Sequence, residues 1–227
     1  MTLAAPERDI RSRISSGLSR PARPCVKKEV GTPEERRWVL GLRNGDAAAF
    51  RALYEHFAPR IFRFLVRLTG QPQVAEDLLQ ETWLSVARHG PGLDPATELA
   101  PWIFTIARNK YRSWRRWALI DRLRTEVLRR RPRASAPVTA DASLAGDQLR
   151  DALEAAIATL SPSLREVLLL VVVEGLTGVE AAEVLGLSPE AVRQRLSRAR
   201  AQLTARLEEL ELVTPSPLSP ATGTPSP

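Results

Sequence analysis

Residues 177–206 read TGVEAAEVLGLSPEAVRQRLSRARAQLTAR, two helical patterns separated by a three-residue break. Thr177 followed three positions later by Glu180 is a capping box, in which each side chain satisfies an orphaned backbone N–H at a helix start. Gly186 suits the left-handed backbone that ends a helix, and Ser188 with Pro189 supplies an N-cap and a first-turn proline for the next. The spacing predicts a helix-turn-helix that turns at Gly186 to Ser188. At about 100° per residue, Val192, Leu196, Ala199, Leu203, Leu207 and Leu210 share one stripe that must face a core. Glu190, Arg193, Gln194, Ser197 and Arg198 fall on the other side. Their donors and acceptors suit base edges and phosphates in a major groove, so nucleic acid is the first partner implied.

The rest of the composition agrees. The chain has 227 residues and a net charge of +7, with a pI of about 10.6, a balance that fits a polyanionic partner. One cysteine, Cys25, excludes an intramolecular disulfide, and with only two histidines, His56 and His89, no structural zinc site is expected. No metal, cofactor or catalytic residue is expected either, and a reducing cytoplasm is the expected location. The longest aliphatic run, Val167 to Val173, falls far short of the ~20 residues that span a bilayer, so no membrane insertion is expected. The first 32 residues are rich in Arg, Ser and Pro without an apolar run, which reads as a disordered basic arm rather than a secretory signal.

Periodicity divides the chain from Thr32 onward. Thr32, Pro33 and Glu35 open a first helix that should end near Gly45, and Asp46 caps a second reaching Gly70, with Pro59 as a candidate kink. Pro72 opens a third helix to about His89, the cluster Gly90 to Pro95 is a loop, and a fourth helix covers about Leu99 to Trp117. The stretch 118–144 reads as a flexible basic linker, whose r.m.s. reach of about 30 Å would let two domains engage separated sites. Helices resume near Ala145 and again at Ser161 and Pro162, ahead of the helix-turn-helix. Residues 213–227 carry five prolines and no charge and read as a disordered tail. The expected fold is all-α, with two small helical domains at 33–117 and 145–212, the second containing the helix-turn-helix.

Two further faces carry chemistry. In the third helix Ala75, Leu78, Leu79, Thr82 and Val86 form the buried stripe with Trp83 at its edge, leaving Asp77, Gln80, Glu81 and Leu84 outward. An exposed leucine within an acidic patch suits a basic protein groove. Asp77 and Glu81 lack the histidine or third carboxylate that metal or acid–base chemistry requires, which argues against a nuclease or hydrolase. Residues 102–133 hold ten arginines and one lysine against two acids, interleaved with Trp102, Phe104, Tyr111, Trp114 and Trp117. Cations that follow a backbone beside aromatic faces that stack on bases suit a single strand. Trp102, Phe104 and Ile106 suit a core, whereas Tyr111 and Trp114 suit a wet surface.

Three motifs in this order, AEDLLQETW at 75–83, PWIFTIARNKYRSWRR at 101–116 and LTGVEAAEVLGLSPEAVRQRLSRARAQL at 176–203, resemble the extracytoplasmic-function class of bacterial RNA polymerase sigma factors. The resemblance covers about Phe50 to Arg116 and Leu149 to Leu207. It implies that Asp77, Gln80, Glu81 and Leu84 dock on the clamp coiled coil of the beta-prime subunit, with the beta flap as a further contact on core RNA polymerase. It also implies that the loop Gly90 to Pro101 takes a flipped minus-ten base and that Arg108, Asn109, Arg112, Arg115 and Arg116 lie along the melted strand of promoter DNA. Arg193, Gln194, Ser197 and Arg198 would then read the minus-thirty-five duplex. An anti-sigma factor and control of a stress or signal regulon belong to the same expectation. Ser113 stands where the family often has an acid after ARN, and GVEAAEV replaces a more aromatic or Ile-rich stretch, so promoter preference is not implied. A stand-alone helix-turn-helix regulator is the competing reading, distinguished by having no use for the Asp77 to Leu84 face.

Overall fold

The computed structural model describes residues 32–126 and 144–209. The basic arm, most of the linker and the Pro-rich tail lie outside the described residues. The fold is all-α, and the helices are α1 (Pro33–Arg43), α2 (Ala47–Thr69), α3 (Pro72–His89), α4 (Leu99–Glu126), α5 (Leu144–Thr159), α6 (Pro162–Leu168), α7 (Gly178–Leu185) and α8 (Pro189–Glu209). A 3-10 turn (Gly90–Gly92) follows α3, and α6 runs into a π turn (Leu169–Val173).

Local signals set most boundaries. Capping boxes form at Thr32 with Glu35 and at Thr177 with Glu180, and the Asp46 carboxylate accepts from Ala48 N at 2.8 Å to start α2. Gly70 and Gly186 end α2 and α7 in left-handed backbone, at φ 68° and 63°, where a Cβ would be strained. Pro59 does not end α2, which runs unbroken from Ala47 to Thr69. The helix expected to stop near Trp117 continues to Glu126, so the first nine residues assigned to the linker are helical.

The first four helices enclose Leu53, Phe57, Ile61, Phe64, Leu65, Ile103 and Phe104, each fully buried, with Phe64 edge-on to Phe104 at 5.2 Å between centroids. Trp83, expected at the edge of its stripe, is buried against Phe50 and Tyr54. Its indole N–H has no partner among the described residues. Where α1 meets α2 the backbones come so close that a Cβ on Gly41 would lie 2.2 Å from that of Ala49. Gly41→Ala gains about 1 kcal/mol of helix propensity but forces the helices apart, an overpacking cost of up to about 3 kcal/mol. The clash wins, and a melting scan should show a Tm lower by about 5 °C.

The second four-helix unit buries Ile157, Leu160, Val167, Leu169, Leu170, Leu185, Val192 and Ala199. The two units are not held apart. One contiguous apolar cluster runs from Trp38 through Ala199, and α4 packs along α7, the first helix of the helix-turn-helix. A flexible tether alone predicted no such contact; apolar residues on both units and three arginine–glutamate ties across the seam account for it.

Candidate nucleic-acid and polymerase interfaces

In α8, Val192 and Ala199 are buried and Leu196, Leu203 and Leu207 are half-buried, the inward stripe that periodicity predicts; Leu210 lies outside the described residues. Arg193, Gln194, Ser197 and Arg198 are not buried and together line one open concavity. The turn before them is fixed by Ala191 N donating to Ser188 Oγ at 3.2 Å. Glu190 pairs with Arg193 and accepts from Gln194 Nε2 at 3.3 Å. An exposed pair of this kind contributes little energy, so these side chains are free to exchange an internal acceptor for a base or phosphate.

On α3, Ala75, Leu78, Thr82 and Val86 are buried while Asp77, Gln80, Glu81 and Leu84 are exposed. Leu84 keeps 65% of its surface, a large apolar side chain among carboxylates. Glu81 is tied to α4 by Lys110, at 3.3 Å. Beyond α3, Gly90, Leu93 and Leu99 turn inward and Pro91, Gly92, Asp94, Pro95 and Ala96 outward. The Asp94 carboxylate accepts from Ala96 N at 2.8 Å and holds that loop. Leu99, Ala100 and Pro101, which the resemblance counts with the base-holding loop, stand in the first turn of α4, where periodicity places the helix start.

The expected strand-facing set on α4 divides. Asn109, Arg112, Arg115 and Arg116 are exposed, but Arg108 is only 8% exposed. Its Nε donates to Glu166 Oε2 at 2.6 Å and its Nη1 to the Val184 carbonyl at 3.0 Å, so in this arrangement it faces the second unit rather than a strand. Tyr111, expected on a wet surface, is 3% exposed, and burial pushes its phenol above the ordinary value, with Glu166 and Arg165 of the second unit among the charges that act on it. Trp114 is half-buried, with its ring 6.1 Å from that of Tyr111. Trp117 is 68% exposed.

Residues that sequence reasoning passed over complete the seam. Arg67 on α2 pairs with Glu154 on α5, its Nε donating at 2.9 Å and 3.0 Å to the two carboxylate oxygens, and this pairing strengthens the hold of Arg67 on its proton. Arg60 donates to the Glu174 carboxylate and carbonyl, each at 3.0 Å. Burial pushes the Glu174 carboxyl above its ordinary value, ahead of the opposing pull of Arg60. The contribution of Glu174 to stability is therefore complete below its ordinary pKa and fades as pH rises through the raised one. Arg165 donates to the carbonyls of Ile157 at 3.1 Å and Leu160 at 3.0 Å and to that of Arg67 at 3.3 Å. It thus caps the end of α5 while reaching α2. The only sequence signal for these residues is a set of acids and bases at helical positions beside apolar stripes, which does not say which pairs meet.

Among the described residues no group of three or more His, Cys, Asp or Glu is placed to hold a metal, and no helix is long and apolar enough to cross a membrane.

The geometry of both units has counterparts. Residues 53–126 match the family model of sigma-70 region 2 and residues 150–203 that of sigma-70 region 4. The chain is 36% identical over 170 residues to the RNA polymerase sigma factor CarQ of Myxococcus xanthus, covering 75% of this chain and 95% of that one. It is 34% identical over 182 residues to the ECF RNA polymerase sigma factor SigL of Mycobacterium tuberculosis, covering 76% and 96%. Among solved structures it is similar to CnrH in complex with the cytosolic domain of CnrY, at TM-score 0.59 and 25% identity over 78% of this chain and 99% of that one. The sigma factor RpoE of Bartonella quintana, solved with the anti-sigma factor NepR, gives TM-score 0.60 and 25% identity over 70% and 96%. With both sigma modules in one chain and relatives matched over almost their whole length, this chain belongs to the extracytoplasmic-function class of RNA polymerase sigma factors.

Proposed function

We propose that residues 33–126 dock on the beta-prime clamp of core RNA polymerase through Asp77, Gln80, Glu81 and Leu84 and guide the melted minus-ten strand along α4. Asn109, Arg112, Arg115 and Arg116 carry the strand contacts, with Arg108 joining them once the seam opens. The loop from Gly90 receives the flipped base, and unstacking it costs a few kcal/mol that phosphate and stacking contacts offset. Residues 144–209 read the minus-thirty-five duplex through Arg193, Gln194, Ser197 and Arg198 and meet the beta flap. The chain contributes binding energy while the polymerase performs catalysis, and it acts in the cytoplasm on a stress or signal regulon. A protein of the anti-sigma kind, as in the complexes of its structural relatives, is the partner that holds it inactive.

The observation that carries this reading is the presence, on one chain, of an exposed acidic face with Leu84 at its centre and a recognition helix whose four polar side chains line one concavity. Run-off transcription with purified core enzyme tests it, and failure to start from any member of a random promoter library sinks it. At the recognition helix, Arg193→Ala with Gln194→Ala should weaken duplex binding by about 10-fold or more, at about 1–3 kcal/mol per lost base contact. Fluorescence anisotropy at fixed salt measures this, and selected sites should lose preference at the positions those side chains read. Arg206→Ala, further along the same helix, should change affinity by less than about 3-fold, the share of a distant phosphate contact.

A further inference from the structure

Arg108 is the one member of its set that is withdrawn, and its partner is a carboxylate. Glu166 is 5% exposed and places Oε2 2.6 Å from Arg108 Nε, the charge-assisted geometry a DNA phosphate oxygen would offer to the same guanidinium. Val184 of the helix-turn-helix takes a second N–H through its carbonyl, and Tyr111, one turn along, is covered beside it. From these contacts we propose that Glu166 is an internal stand-in for a DNA phosphate: it locks the two units in a closed resting state and keeps Arg108 from the strand until the units part.

The distances on DNA require that parting. Minus-ten and minus-thirty-five elements lie about 25 base steps apart, roughly 85 Å at about 3.4 Å per step. Units joined through 2.6–3.0 Å hydrogen bonds at Arg108, Arg60 and Arg67 do not reach both. The 17 residues between Glu126 and Leu144 span at most roughly 60 Å, which with the breadth of each unit permits the separation once the ties break. Opening exposes two charges that were costly to bury, and the strand supplies phosphates for one of them. DNA and Glu166 therefore compete for a single guanidinium.

This proposal rests on the strand-guiding role of α4, and its test separates the two. The full chain carries Cys25→Ser and a donor–acceptor dye pair at Glu55→Cys and Gln202→Cys, both exposed positions on opposite units. Glu166→Gln should lower energy transfer between the dyes. In the absence of core enzyme it should also tighten binding of a single-stranded minus-ten oligonucleotide by about 10-fold, the factor lost while the competent state is a minor population. Glu154→Arg, which sets two arginines against each other at the partly exposed tie and touches no proposed DNA contact, should open the chain as well, and Arg67→Glu with Glu154→Arg should close it again. Unchanged energy transfer in Glu166→Gln overturns the latch, whether or not Glu154→Arg opens the chain. Opening without a gain in strand affinity overturns the phosphate stand-in. A chain that opens and closes as expected yet directs no run-off transcript refutes the sigma-factor role and leaves the latch standing.

Discussion

Replacing Asp77, Gln80 and Glu81 together by alanine is expected to reduce run-off transcription by about 30-fold or more. That loss corresponds to about 2 kcal/mol, the scale of one interface hot spot. The three side chains are exposed on α3, so their truncation should move stability by no more than about 0.5 kcal/mol each, and the melting midpoint should move by at most about 4 °C. Duplex affinity of the helix-turn-helix should also hold, since α8 lies on the other unit. A triple variant that transcribes at the wild-type rate, or one that loses duplex affinity in parallel with transcription, contradicts docking by this face. Adding Leu84→Ala should deepen the loss, because Leu84 presents the apolar centre of the patch.

A larger effect on stability is expected from Phe64→Ala. Phe64 is fully buried with its ring edge-on to Phe104, and removing a buried phenyl costs about 3–5 kcal/mol, including the edge-to-face pairing of about 1 kcal/mol. Against the 5–15 kcal/mol that hold a typical domain, that is a large fraction. The first unit should melt about 15 °C lower or more, visible by circular dichroism, while Phe104→Leu, which keeps most of the volume, should cost less than half as much. Equal melting temperatures for wild type and Phe64→Ala would mean that the four-helix core is not built around this pair.

Most of the helices are legible because their ends are written in side-chain chemistry. Thr32, Asp46, Thr177 and Ser188 cap helix starts as expected, and Gly70 and Gly186 end helices in the conformation glycine permits. Where such punctuation is missing, boundaries are lost: nothing after Trp117 marks a stop, and α4 runs on to Glu126. Pro59 suggests a kink, yet it interrupts neither end of α2. The candidate recognition helix and the acidic face are legible because helical periodicity alone decides which side chains turn outward. The seam is not. Arg108 and Glu166 stand 58 positions apart, and Arg60 and Glu174 114 apart; no local pattern distinguishes an arginine bound for a buried carboxylate from one left for DNA. Tyr111 falls on the buried stripe of α4 with Leu99, Ile103 and Ala107, seven positions from Phe104, a periodicity masked by the arginines on either side of it.

The tie between Glu81 and Lys110 has a thermodynamic consequence. It joins the face of α3 proposed to meet the polymerase to α4, proposed to guide the strand, through a single partly exposed ion pair. A partner that takes up the Glu81 carboxylate releases the Lys110 ammonium for a phosphate, and a phosphate that claims Lys110 frees Glu81 in return. By linkage, each event must favour the other by the same factor. An exposed pair is worth at most about 1 kcal/mol, which bounds that factor near 5. If the proposed docking by Glu81 and strand guidance along α4 hold, the two are positively cooperative through this one lysine, by a small amount fixed by the strength of the bond they both break.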